Sequence, residues 1–336
     1  MMQSTADPIL SVEQLQVDFT TRRGQVTAVR DVSMTVNRGE TVALLGESGS
    51  GKSVTAQAIM GLLPQRSSHV TATSITYDGR NLLTLPPAKV RDLRGAEIAM
   101  VFQDPLSSLN PVMRVGYQIS EALWRKGGMS RRAATARAIE LLDLVGIPDA
   151  RRRIEDYPHQ FSGGMRQRVM IAIAIARQPR LLIADEPTTA LDVTVQAQIM
   201  ELLRSLQNEF GMALLLISHD LGVVADVADR IYVMYGGTLA EQGPTRAVYD
   251  HPAHPYTEGL LASIPSEAEP GERLTPIPGS PPLPGDASPG CRFAPRCRYA
   301  AEVCRTTTPV LRTPTGWPQV QAAACHRSEE VLTHVG

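Results

Sequence analysis

Residues Gly46-Glu47-Ser48-Gly49-Ser50-Gly51-Lys52-Ser53 fit the pattern G-x-x-x-x-G-K-[ST]. Glycines at these positions let backbone N–H groups turn inward around phosphate oxygens. A helix that starts where the loop ends adds its positive N-terminal end. Lys52 brings a cation to the β- and γ-phosphates, and the Ser53 hydroxyl can coordinate Mg²⁺. Val54 continues the segment into the helix. A second constellation is Leu181-Leu182-Ile183-Ala184-Asp185-Glu186, an apolar run that ends in two carboxylates. It suits a metal held by Asp185 through water and an attacking water polarised by Glu186. An isolated Asp-Glu pair is ordinarily a solvated acidic turn; a phosphate loop upstream reverses that preference.

The third constellation is Phe161-Ser162-Gly163-Gly164-Met165. A serine and two glycines at a helix start expose a hydroxyl and bare N–H groups, a second anion-binding surface. Alone, it reads as an ordinary capped helix. With a single phosphate loop in the chain, two chains arranged head to tail account for both surfaces. Three single residues complete the set. Gln103, at the end of an apolar strand, is placed to reach the metal or the attacking water. His219 ends another strand and is a candidate contact to the γ-phosphate. Phe19 is a candidate to stack on adenine, although an aromatic there is more often plain core.

These residues need elements to hold them. Thr41–Leu45 is a short apolar strand running into the glycine-rich loop, and Val54–Leu63 reads as the helix after it. Ile9–Val36 contains alternating apolar stretches that read as antiparallel strands. Ile98–Phe102, Leu181–Ala184, Ala213–Ile217 and Arg230–Met234 read as further strands. Ala133–Val145, Gly163–Arg177, Val193–Phe210 and Ala225–Ala228 read as helices. Alternating buried strands and helices imply an α/β fold with a mainly parallel sheet. Between 264 and 295 nine prolines, among them Pro265, Pro270 and Pro284, exclude a regular helix or central strand. That stretch reads as a linker and loop-rich tail.

The formal net charge of −1 over 336 residues gives no reason to expect a nucleic-acid partner. Met1–Leu10 lacks the pattern of a secretory signal, and no apolar run is long enough to span a bilayer. The chain is expected to be soluble and cytosolic, held at a membrane, if at all, by other chains. No cysteine precedes Cys291; then come Cys291-x5-Cys297-x6-Cys304-x20-Cys325. Four thiols in one tail suit an iron–sulfur cluster or tetrahedral Zn²⁺. The close C-x2-C pairs of most zinc sites are absent.

Taken in order, the phosphate loop, Gln103, Ser162-Gly163-Gly164, Asp185-Glu186, Ala190-Leu191-Asp192 and His219 resemble the ATP-binding cassette family. The likeness covers about residues 8–259. It implies a RecA-like α/β core, an antiparallel β subdomain and a helical subdomain near 105–165. Two cassettes would sandwich two ATP molecules. On that basis Glu186 is the catalytic base, His219 contacts the γ-phosphate, the Gln103 loop touches the membrane partner, and Asp192 lies at the dimer seam. Ser53, Gln103 and Asp185 are the candidate Mg²⁺ ligands. Phe161 and Met165 replace the commoner Leu and Gln around the signature, whose Ser-Gly-Gly centre is intact.

Phe102–Pro111, Tyr157-Pro158-His159-Gln160, Ala184–Thr194 and His254-Pro255-Tyr256-Thr257 narrow the resemblance to the dipeptide/oligopeptide importer subfamily. Residues 260–336 are similar to its C-terminal extension, which implies a 4Fe–4S cluster on the four cysteines, with Zn²⁺ as the alternative. The subfamily also implies a second, different cassette subunit, two membrane permeases and an extracytoplasmic binding protein. The place of action would be the cytoplasmic face of the bacterial inner membrane. Importers of nickel, glutathione and some oligosaccharides share these motifs. A soluble cassette ATPase of DNA repair is disfavoured, because only about 130 residues separate Lys52 from Asp185 and no heptad run lies between them. Translation types usually carry two cassettes in one chain.

Overall fold

The computed structural model describes residues 8–22, 24–263, 276–283, 285, 289–315, 317 and 320–334. The readings made for the first seven residues and for Pro265, Pro270 and Pro284 lie outside the described residues. The chain divides into two compact units. One contains Asn37–Glu40 and Thr84–Leu216; the other contains Pro8–Val36, Thr41–Leu83 and the chain from Ile217 onward.

In the first unit, strands Ile98–Val101 and Leu181–Asp185 pair in parallel, with Ile98 opposite Leu181 and Val101 opposite Ala184. Both are buried along their whole length, as expected of parallel strands covered on both faces. The strand Ala213–Ser218 follows the helix Val193–Phe210 and leaves this unit after Leu216. That helix starts where the Asp192 carboxylate accepts from the Val195 N–H, and it ends at Gly211 in the left-handed region, φ +61°. Its buried residues Ile199, Met200, Leu203 and Leu206 lie on one face. Helices Val115–Arg125, Arg131–Leu144 and Gly163–Ile175 pack on one another. Gly116 permits a close approach there: a Cβ would lie 2.0 Å from Ile154 Cγ1.

In the second unit, Pro8–Thr21 lies between Gly24–Asn37 and Ser74–Tyr77, and Ser68–Thr71 also pairs with it. The pairings with Ser68–Thr71 and Ser74–Tyr77 are antiparallel. Separately, Thr41–Leu45 pairs in parallel with Arg230–Tyr235, which pairs antiparallel with Thr238–Pro244. The two-residue strand Ala322–Ala323 from the tail adds to the outer edge, Ala323 opposite Glu241.

One expectation needs correction. The helical turn sits at Leu221–Val224, not Ala225–Ala228, because the Asp220 carboxylate caps the Val223 N–H and starts the turn earlier. The tail holds the short helices Glu302–Thr306 and Ser328–His334 besides its edge strand. Trp317 and Leu332 pack with Ala253 and Ala323 and supply an apolar anchor.

Candidate active site

The strand Thr41–Leu45 is fully buried and delivers the chain to Gly46. Gly46 has φ +147°, and a Cβ there would lie 2.2 Å from the Met234 carbonyl oxygen. Gly51, at φ +103°, would meet the Ala28 carbonyl oxygen at 2.9 Å. Glycine is therefore required twice, once for each close backbone approach. The helix Lys52–Ile59 begins directly after Gly51. Lys52 is only 3% exposed, and its Nζ donates to the carbonyls of Gly46 at 2.7 Å and Glu47 at 3.1 Å. Ser48 and Gly49 are exposed at the tip, and Ser53 and Val54 are half-buried. The Ser50 hydroxyl is buried in the loop with no hydrogen-bond partner among the described residues. An orphaned hydroxyl, an inward lysine and a helix N-terminus fit a phosphate ligand.

The carboxylates stand in the other unit. Asp185 closes its strand and is 3% exposed. Glu186 follows with φ +45°, a left-handed conformation that costs a non-glycine residue about 1–2 kcal/mol. Its Oε2 accepts from Gln103 Nε2 at 3.0 Å and from Thr189 Oγ1 at 2.9 Å. Two residues singled out in the sequence, Gln103 and Glu186, are thus in contact across 83 positions of chain. Thr189 falls within the Ala184–Thr194 motif, but the sequence assigns it no role; it lies three residues after Glu186, and that spacing was the available signal.

Ser162 caps its helix, the hydroxyl accepting from the Met165 N–H at 3.3 Å. A Cβ on Gly163 would lie 3.5 Å from Leu191 Cδ2, and one on Gly164 would lie 2.7 Å from Val195 Cγ1. The signature therefore packs against the start of the helix that Asp192 caps. Asp192 itself is exposed. In the second unit, His219 is exposed just beyond the strand Ala213–Ser218. Phe19 is half-buried on its strand, opposite Ser68.

All four cysteines line one cavity of about 10 Å³. Burial pushes the Cys297 thiol up to about 11 and Cys325 to about 12, and neighbouring cysteines add to both shifts. Cys291 is raised for the same reasons. Among the described residues no three His, Cys, Asp or Glu side chains form a group able to hold one metal ion. The expected Fe–S or zinc site is therefore not supported by converged ligands. The donor chemistry fits a four-thiolate group; the space, about that of one water, does not admit one without outward rotation of the thiols.

Residues 29–189 match the ABC transporter family, and residues 240–304 match the oligopeptide/dipeptide transporter C-terminal region. The chain belongs to the ABC transporter family and is an ABC ATPase, whose activity implies ATP and Mg²⁺. Among its relatives is a protein of Brucella abortus (strain 2308) named as a peptide import ATP-binding protein. It is 56% identical over 304 residues, 90% of this chain and 91% of the relative. The dipeptide transport ATP-binding protein DppD of Bacillus subtilis (strain 168) is 52% identical over 303 residues, 90% of each chain. A solved dimeric, post-hydrolysis structure of the ATP-binding cassette MJ0796 bound to ADP and Pi is similar, with a TM-score of 0.62 and 28% identity. It covers 70% of this chain and 99% of that one. Among the described residues no helix is long and apolar enough to cross a membrane.

Proposed function

We propose that this chain is the ATP-hydrolysing subunit of an importer that takes up di- and oligopeptides across the cytoplasmic membrane. The match of residues 240–304 to the oligopeptide/dipeptide transporter C-terminal region carries the substrate class. Likeness to a dipeptide transport protein over nine-tenths of both chains supports it. Residues 8–259 act as the cassette and 260–336 as its extension. The chain works peripherally, at the inner face, beside a second cassette, two permeases and an extracytoplasmic binding protein.

Gly46–Ser53 enclose the phosphates and Lys52 offsets their charge, with Phe19 against the adenine. Ser53, Asp185 and Gln103 are the candidate holders of Mg²⁺, which neutralises phosphate charge when bound. Glu186 takes the proton of the attacking water. The hydrogen bonds from Gln103 and Thr189 fix its carboxylate, and the strained backbone of Glu186 supports reading it as a functional position. His219 contacts the γ-phosphate. Ser162, Gly163 and Gly164 serve the nucleotide of the partner cassette across a seam that includes Asp192.

Cys291, Cys297, Cys304 and Cys325 are the candidate ligands of a 4Fe–4S cluster, a staple for a proline-rich tail. What supports that reading is the four-thiol donor set and the common lining of one cavity by all four, which must widen to hold the group. Purified anaerobically, the protein is expected to contain iron; a colourless, zinc-containing, iron-free sample overturns the cluster. The transport reading is tested with the reconstituted transporter and labelled di- and oligopeptides. ATP-dependent peptide accumulation is expected. Uptake of nickel, glutathione or oligosaccharide without peptide uptake contradicts it.

A further inference from the structure

Glu47 occupies the second position of the phosphate loop, where the pattern asks for no particular residue. It is nevertheless held at three points. Its carboxylate receives both terminal nitrogens of Arg296: Nη1 to Oε2 at 2.8 Å and Nη2 to Oε1 at 3.1 Å. Its backbone N–H donates to the Tyr256 hydroxyl at 2.8 Å, and its carbonyl accepts from Lys52 Nζ at 3.1 Å. The residue that Arg296 grips therefore also receives the phosphate-binding lysine.

Arg296 is committed to this task. Its side chain is 6% exposed. Nη1 also reaches the Tyr235 hydroxyl at 3.2 Å, and Nε donates to the Pro278 carbonyl at 2.8 Å. Arg296 ends a short turn, Ala294–Arg296, between Cys291 and Cys297. Phe293, just before that turn, meets Tyr235 edge-on at 5.2 Å and Tyr256 at a tilt at 5.5 Å. A planar fork matched to a carboxylate gives a geometry as well as a charge, which a lysine or a water shell would not reproduce.

We infer that Arg296 is a positioning residue for the nucleotide: through Glu47 it sets the phosphate loop, so ATP affinity depends on the seating of the cysteine-containing extension. This rests on reading Gly46–Ser53 as the phosphate loop. Glu47 is 24% exposed in its side chain, so losing Arg296 leaves it partly hydrated rather than stranded. The expected loss therefore falls on loop geometry more than on folding.

The test is equilibrium titration of the full-length chain with a fluorescent ATP analogue, with thermal melting followed in parallel. Arg296→Met is expected to weaken binding about ten-fold, the scale of a lost charge-assisted pair. Arg296→Lys should restore part of the affinity, because one of the two parallel bonds can form. Glu47→Gln should weaken binding to a similar degree, and the double variant should be no worse than either single one. If Arg296→Met does not fold, Arg296→Lys and Glu47→Gln carry the test. Wild-type affinity in the Arg296 variants, or additive losses in the double variant, overturns the proposal. Wild-type affinity in Lys52→Ala would instead sink the reading of the loop itself.

Discussion

Glu241 ties the tail to the sheet, and its protonation should be visible in stability. The residue is fully buried. Its carboxylate accepts from the Ala253 N–H at 2.8 Å, the His254 N–H at 3.0 Å and Gln321 Nε2 at 2.8 Å. Burial pushes it up to about 7 from an ordinary 4.5, against the pull of those donors. A carboxyl raised on folding contributes stability that is complete below its unfolded value and lost as pH rises through its folded value. Here the window runs from about 4.5 to about 7, worth about 3 kcal/mol. His254 runs the other way: burial pulls it down to about 4, so its contribution is present above 6.5 and lost as pH falls through 4. The native curve therefore mixes two opposed slopes, and subtracting the Glu241→Gln curve isolates one. Trp124 and Trp317 are the two tryptophans. Trp124→Phe leaves Trp317, edge-on to His251 at 5.2 Å, as the reporter for this region. Urea unfolding from pH 4 to pH 8 should show the native advantage over Glu241→Gln shrinking by about 3 kcal/mol. Parallel curves, with a constant offset at every pH, would refute the argument that Glu241 folds protonated below neutrality.

Gly116→Ala places a Cβ 2.0 Å from Ile154 Cγ1 and 2.7 Å from the Ile154 carbonyl. Overpacking should cost about 1–3 kcal/mol in denaturant unfolding, and Ile154→Ala should recover only part, since the carbonyl stays. Thr189→Val removes the donor to Glu186 Oε2. Steady-state hydrolysis in the reconstituted transporter should fall about ten-fold, with nucleotide affinity unchanged.

The elements around the chemistry were legible because their signals are local. Thr41–Leu45 is a continuous apolar run before a glycine loop, and Val193–Phe210 lies between a capping Asp192 and Gly211; both occur as read. The strands Ser68–Thr71 and Ser74–Tyr77 escaped because polar residues such as Ser68, His69, Ser74 and Thr76 weaken their alternation. In the site, Lys52, Asp185 and Glu186 were marked by motif and strand position. Arg296 was not, and Tyr256 was marked only as part of a motif without a role, since their roles come from contacts spanning 249 and 209 positions. No periodicity encodes such a pairing. The cysteines were legible as a set, yet their cavity is smaller than the expected cluster requires.

In the proposed mechanism Glu186 activates water for ATP hydrolysis. Glu186→Gln keeps the acceptor oxygen and the side-chain volume and removes the base. ATP binding and single-turnover hydrolysis should be measured on the reconstituted transporter. ATP affinity should be unchanged and hydrolysis reduced by about 10²–10⁴-fold. Undiminished hydrolysis in Glu186→Gln would contradict it and assign the proton transfer to another residue.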